Sequence, residues 1–281
     1  MFVLAALSYL VTIFAVGLFI VRLRELISLF KKQQPDPTRS NNRGARTKNM
    51  LKEVLGHTKM LNFTGTGIAH WFVMVGFGAL FGTLITAYGQ LISPDFALPI
   101  IGHFVGYELF AEVIAALTGI GIVTLIGIRQ ATRFWHKGRT SRFAGSNQGR
   151  AYYVEATILA VVFCVIALRG LEGALAGEKS WSLHYAISWP AVTFFSSWST
   201  SAIESAIVVV AAAKIFVSML WFIVIASNLT MGVAWHRFLA FFNIYFKRNI
   251  DQPSLGALPE MLSHGKPVNF EDPAEDDVFG L

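Results

Sequence analysis

Seven histidines are the side chains of this 281-residue sequence best suited to holding a metal or relaying a proton. Two of them stand in long apolar surroundings: His70 in GIAHWFVMVGFGALFG and His236 in MGVAWHRFLAFF. Imidazole nitrogen is the usual protein donor to the iron of a porphyrin, and in a helix bundle one histidine from each of two facing helices can grip such a ring. Other soft donors are scarce. The one cysteine, Cys164, lies in an apolar run and alone forms no internal disulfide, no Cys-rich zinc site and no iron–sulfur cluster. Any cluster that works with this chain is therefore expected on another polypeptide or a further domain.

The elements that must position these histidines are apolar. The sequence is 54% hydrophobic and only 14% charged, whereas soluble domains carry about 25% charged residues. A net charge of +6 would suit nucleic acid, but the basic residues fall in short loops between apolar runs. Orientation in a bilayer accounts for that placement, and no nucleic-acid partner is expected. A spanning helix needs about 20 mostly apolar residues, and five segments qualify: about 2–30, 61–92, 104–128, 151–171 and 205–236. The first runs from Phe2 to Val21 without a charge; it lacks a basic leader and a small-residue cleavage site, so it is expected to be retained. The second has no Asp, Glu, Lys or Arg between Lys59 and Asp95. Glu108 and Glu112 open the third, Glu155 and Arg169 bracket the fourth, and Lys214 interrupts the fifth.

Charge orients the bundle. From Arg22 to Lys59 there are ten Lys/Arg and three acids, and from Arg129 to Arg150 six Lys/Arg and no acid. The connection 93–102 has one acid and no base, and that from Arg169 to Glu204 has two bases and three acids. The positive-inside rule then predicts an outside amino terminus and a cytoplasmic carboxy terminus. Trp71, Trp135 and Trp235 fall at the inner ends and Trp181, Trp189 and Trp198 in the outer loop, as interfacial belts require. The expected architecture is an all-α, five-helix transmembrane bundle over 1–248, multi-pass in a bacterial cytoplasmic membrane. The segment 33–49 reads as a basic loop near anionic headgroups. The segment 249–281, with seven acids and one base (Lys266), reads as an acidic cytoplasmic linker.

With this topology His70 and His236 both arrive at the inner side, where they are expected to face one another across one b-type haem. Arg237 and Lys59 sit where propionates would emerge toward water. Gly67, Gly76, Gly78 and Gly82 would leave room for a flat ring, although Gly78-xxx-Gly82 equally suits helix packing. The alternative is a pair of interfacial histidines bonded to headgroups or to a neighbouring helix. His57, among Lys52, Glu53 and Lys59, is a further candidate ligand or a helix-start residue. His103 and His184, both on the outer side, are candidates for a second site, while His136 and His264 read as solvated.

Five spans with a histidine early in the second and another at the end of the fifth resemble the gamma-subunit family of respiratory nitrate reductase. That module also forms the membrane part of heterodisulfide-reductase-related enzymes. More specifically, LGHTKMLNFTGTGIAHWFVMVGFGAL and FEDPAEDDVFGL are similar to the amino-terminal region of actinobacterial membrane iron–sulfur reductases. The resemblance implies haem b, menaquinone as substrate, and electrons exchanged with electron-transfer flavoprotein through iron–sulfur clusters. In fused members a domain with Cys-rich motifs follows the linker, so the clusters are expected on a partner or a missing domain. The nitrate reductase family has a second histidine pair deeper in the same spans, where this sequence reads Leu80 and Ser218. One haem is therefore expected, with a second possible only through other histidines.

Glu108 and Glu112 lie one turn apart on one helix face, and Lys214 falls at similar depth, so an ion pair among them is expected, serving a proton path, a quinone pocket or mere snorkelling. Glu155 is expected to pair with Arg150 or to line a quinone entry with His57 and His70. The leading functional expectation is a haem b electron-transfer subunit between a cytoplasmic iron–sulfur or flavoprotein partner and quinone, without a complete catalytic site of its own. A cofactor-free membrane anchor for a soluble oxidoreductase is the alternative. A transporter would need a polar mid-membrane path, broken helices or repeats, and no repeat is evident.

Overall fold

The structure, a computed structural model, describes residues 2–32, 36–135, 147–248 and 260–277. The helices are α1 (Phe2–Lys31), α2 (Arg43–Leu55), α3 (Thr64–Ala79), α4 (Phe81–Gln90), α5 (Val105–Trp135), α6 (Gln148–Leu175), α7 (Trp189–Phe195), α8 (Thr200–Ala226) and α9 (Gly232–Tyr245). Strands β1 (Leu262–Ser263) and β2 (Lys266–Pro267) form an antiparallel hairpin, closed through His264 and Gly265 at φ 49° and 80°. Positive φ at both central residues suits the twist of a two-residue hairpin turn. Four helices, α1, α5, α6 and α8, are long and apolar enough to cross a membrane, and α3 with α4 passes the same test as a pair bent by 40°. This is an all-α membrane protein.

The described residues form two compact units: Met1–Phe19 with Met60–Ala234, and Ile20–Lys59 with Trp235–Leu281. In the first unit α8 carries the core. Ile207, Ala211, Ile215 and Met219 recur every four residues, so one face of α8 is buried against Leu168 and Leu171 of α6 and Ala87 and Leu91 of α4. Val209 and Leu220 on other faces of α8 remain exposed, as lipid-facing positions should be.

Close approach of α3 to α5 depends on absent side chains. A Cβ at Gly76 would lie 2.0 Å from Thr118 Oγ1, and one at Gly121 would lie 2.7 Å from the Ala69 carbonyl oxygen. Thr118 also donates its hydroxyl to the Phe72 carbonyl at 3.2 Å. Small residues of this kind let membrane helices pack backbone to backbone. Gly67 and Gly82 are likewise filled by protein, Gly67 by the Met60 backbone and Gly82 by the Tyr107 hydroxyl. Of the four glycines expected to leave room for a flat ring, only Gly78 has open space beside it.

Two of the expected spans are not single helices. The second bends at Leu80, whose ψ of −2° departs from the helical value. No proline is involved. Thr83 donates its hydroxyl to the Leu80 carbonyl at 2.6 Å, and its amide bonds the same oxygen at 3.1 Å, so the local ladder tightens to i+3 spacing. The fifth, expected over 205–236, stops at Ala226, and α9 starts only at Gly232. The intervening SNLTM is rich in residues that bond their own backbone. Asn228 donates its side-chain amide to the Val224 carbonyl at 2.7 Å, and the Met231 amide turns back to the Asn228 carbonyl at 2.9 Å. His236 therefore belongs to α9 and not to a fifth continuous span.

In the second unit, part of the expected loop 33–49 is helical, because α2 begins at Arg43. Arg46 is 1% exposed and organises the unit. Its guanidinium donates to the carbonyls of Tyr245 (2.9 Å), Lys247 (2.8 Å), Thr38 (2.8 Å) and Asn41 (2.8 Å). A cation thereby satisfies the open carbonyls at the end of α9. Beside it, Glu53 accepts from Lys247 at 2.8 Å and pairs with Lys59 at 3.1 Å. Burial alone would raise the Glu53 carboxyl, but the two ammonium groups hold it below its ordinary value.

Gly67→Ala should lower thermal stability in detergent by about 1–3 kcal/mol, because its Cβ meets backbone that cannot move aside. Gly78→Ala on the same helix should be neutral or gain up to about 1 kcal/mol from helix propensity. Melting curves of the two variants side by side check both signs; equal shifts would refute the packing role of Gly67.

Candidate functional site

The largest concentration of buried polar groups among the described residues forms where α4 ends, α5 begins and α6 ends. Glu108 and Glu112 share a face of α5 because they are one turn apart. Arg169 and Glu172 are three apart on α6, again on one face. Gln90 ends α4. The connection between α6 and α7 folds over this group through a 3-10 turn, Leu183–Tyr185.

Arg169 is the hub. Its Nη1 donates to Glu172 at 2.6 Å and to Glu108 at 3.2 Å, and its Nε to Glu112 at 3.3 Å. Nη2 donates to the His184 carbonyl, and the guanidinium carbon lies 4.6 Å from the centroid of the Tyr185 ring. Each carboxylate then holds something further. Glu112, fully buried, accepts from the amides of Ile187 (2.7 Å) and Ser188 (3.2 Å) and from the Ser188 hydroxyl, ordering the entry to α7. Glu108 bonds Nδ1 of His184, and Glu172 accepts from Gln90 Nε2 at 2.6 Å.

Lys214 enters from α8 and is 1% exposed. The expected pairing with Glu108 and Glu112 does not form; Arg169 occupies both. Lys214 Nζ instead donates to the Thr83 carbonyl at 2.8 Å and the Thr83 hydroxyl at 2.7 Å, at the bend between α3 and α4. Two of its three N–H donors are thus used.

Between these groups lies a cavity of about 240 Å³. Lys214, Thr83, Gln90, Arg169, Glu108 and Glu172 give it a polar wall, and Phe96, Leu98, Val165 and Leu168 an apolar one. Two buried polar atoms on its lining residues, Gln90 Oε1 and the Tyr107 hydroxyl oxygen, have no hydrogen-bond partner. The arrangement can donate to and accept from a small ligand, and it keeps protonatable carboxylates beside it.

The other residues singled out from the sequence are distributed as follows. His70 sits half-buried on α3 in the first unit; His57, His236 and Arg237 belong to the second. His57 is buried, in the left-handed region at φ 52°, and its Nδ1 donates to the Val54 carbonyl at 3.2 Å. Nitrogen-donor chemistry at His70 and His236 suits haem iron, while of the expected ring-space glycines Gly67, Gly76 and Gly82 are filled by protein and Gly78 is open. Among the described residues no group of three or more His, Cys, Asp or Glu is placed to hold a metal ion. His103 is exposed and lines the cavity, His184 is bonded to Glu108, and His264 lies in the hairpin with Nε2 3.2 Å from the Asp276 carbonyl. His136 lies outside the described residues. Glu155 pairs with Arg129 at 2.6 Å, not with Arg150, whose guanidinium reaches Asn228 Oδ1 at 3.4 Å.

The roles of Arg169, Glu172, Gln90, Tyr107 and Thr83 do not emerge from the sequence reading. One signal was available: Arg169-x-x-Glu172 places a cation and an acid on one face of an apolar helix, at the same end of the bundle as Glu108 and Glu112. The chain matches no protein-family model, no curated protein and no solved structure.

Removing the hub should be costly. Arg169→Met leaves three carboxylates clustered without their cation, and a loss of about 3–5 kcal/mol in unfolding stability is expected. Adding Glu108→Gln and Glu172→Gln should restore part of that loss. Thermal unfolding of the single and triple variants measures it, and a triple variant no better than Arg169→Met would refute the charge-balance account.

Proposed function

We propose that this chain is a membrane haem b module that passes electrons between a cytoplasmic iron–sulfur or flavoprotein partner and menaquinone. The observation that carries the proposal is the pair of histidines bordering apolar spans, His70 early in the second and His236 just beyond the fifth. The resemblance to the nitrate reductase gamma-like module, and through it to electron-transfer flavoprotein:menaquinone reductases, supplies the partner and the quinone. In this reading α1, the α3–α4 pair, α5, α6 and α8 make five crossings. The amino terminus lies outside and the basic loops face the cytoplasm of a bacterial inner membrane.

His70 and His236 would hold the iron through ring nitrogens, and Arg237 would neutralise a propionate at the interface. The assignment of the two ligands rests on their sequence positions. When bound, haem b supplies a reversible one-electron carrier. The chain's own residues position it, keep its surroundings apolar and leave redox exchange with clusters to a partner, since Cys164 is the one cysteine here and is buried.

A dithionite-reduced minus oxidised absorption spectrum of detergent-purified protein tests this. A b-type alpha band is expected in the wild type and in His57→Ala, and its loss in His70→Ala and in His236→Ala. A featureless spectrum from folded protein expressed with ample haem would leave the cofactor-free anchor as the better reading.

A further inference from the structure

We propose that the cavity between α4, α5, α6 and α8 binds the ring of a quinone or quinol. Its existence as a ligand site follows from unmet hydrogen bonds. Gln90 is 1% exposed, and its Nε2 is committed to Glu172 at 2.6 Å, which fixes the amide and leaves Oε1 as an acceptor without a partner. The Tyr107 hydroxyl is buried and also without a partner. Lys214 retains one N–H beyond its two bonds to Thr83. Orphaned polar atoms inside a protein are costly, and two on residues lining one cavity point to a molecule that completes their bonds.

The chemistry of the walls selects the ligand. Phe96, Leu98, Val165 and Leu168 ask for an apolar body. Carboxylates and cations both flank the cavity, Glu108 and Glu172 against Arg169 and Lys214, so a neutral molecule fits better than an ion. It must accept from the Tyr107 hydroxyl and the Lys214 ammonium, and its other form must donate to Gln90 Oε1. A flat ring bearing carbonyl oxygens meets the first demand, and the same ring bearing hydroxyls meets the second. A membrane-dissolved quinone and its quinol are that pair. Thr83 stands 13 residues after His70, and Arg169 stands 14 residues after Glu155 on α6, about 20 Å of helix in each case, so this cavity lies at the other end of those helices from His70 and Glu155, where a quinone entry is expected. The identity of the ligand rests on the electron-transfer reading above; the presence of a site does not.

Equilibrium dialysis of the full chain in detergent against radiolabelled dimethylnaphthoquinone tests the site, with the haem difference spectrum recorded on the same preparation. Saturable binding at one site per chain is expected. Tyr107→Phe deletes only an unpartnered hydroxyl, and Gln90→Leu deletes the acceptor; each should weaken binding about tenfold. Gly82→Ala should also weaken it, because the new Cβ would lie 2.7 Å from the Tyr107 hydroxyl. The melting temperature of ligand-free Tyr107→Phe should match the wild type, which separates lost binding from lost fold. Absence of saturable binding, or wild-type affinity in both Tyr107→Phe and Gln90→Leu, overturns the proposal. A haem band without naphthoquinone binding removes this site and leaves the haem reading standing. Tyr107-dependent binding by folded protein without a haem band removes the haem reading and leaves the site.

Discussion

A guanidinium among apolar helices has to be surrounded before it can be tolerated, and Arg169 meets that requirement with four acceptors drawn from three parts of the chain. Glu108 and Glu112 come from α5, Glu172 from its own helix and the His184 carbonyl from the connection to α7. A buried ion pair is weak evidence for stability, because desolvation opposes the Coulombic gain. Its effect on specificity is stronger: an arrangement that left any of these charges alone would be far more costly than the native one. Through Glu112 the constraint passes to Ile187 and Ser188, so the start of α7 is set by the same cation.

Lys214 solves the same problem by another route, and the cavity is the result. With the glutamates taken by Arg169, its ammonium turns to the Thr83 carbonyl and hydroxyl. Thr83 offers both because the helix is bent there and its hydroxyl already engages the Leu80 carbonyl. Bend and buried lysine thus support each other. The bend tips α4 relative to α3 by 40°, and Thr83, Thr86 and Gln90 of α4 line the space beside α5 and α6.

Hydropathy made the helices legible, because a stretch such as 2–21 or 215–235 has no charge to place anywhere but in lipid or a core. It could not show the bend at Leu80 or the break after Ala226. Both arise from side chains of Thr83 and Asn228 bonding nearby backbone, and in an apolar window these residues differ little from their neighbours. Glu108 and Lys214 line one cavity, but nearness along the helices does not choose partners. Arg169 won the competition for the glutamates because its planar fork reaches several acceptors at once, whereas an ammonium is a single point. The four glycines were read for ring space, yet a missing Cβ is silent about whether a cofactor, a threonine or a backbone carbonyl fills it.

The pairing of α5 with α6 shows how few charges are needed to set the direction and register of two apolar helices. α5 carries Glu108 and Glu112 near its start and Arg129 toward its end; α6 carries Glu155 early and Arg169 late. Among these five charges the acids come first and the cations later along each helix, whereas Arg150 and Glu172 of α6 run the other way. Laid antiparallel, the two helices bring opposite charges together at both ends, Arg129 with Glu155 at 2.6 Å and Arg169 with Glu108 and Glu112 at 3.2 and 3.3 Å. A parallel arrangement would set acids beside acids. A slip of one turn, about 5.4 Å, would break both ends together. Between Glu112 and Arg129 lie 16 uncharged residues, and between Glu155 and Arg169 lie 13, lengths of about 20–25 Å at helical rise. That is somewhat less than the roughly 30 Å of a bilayer's hydrocarbon core, and because an unpaired charge among apolar helices is costly, pairing at both ends holds the register of α5 against α6.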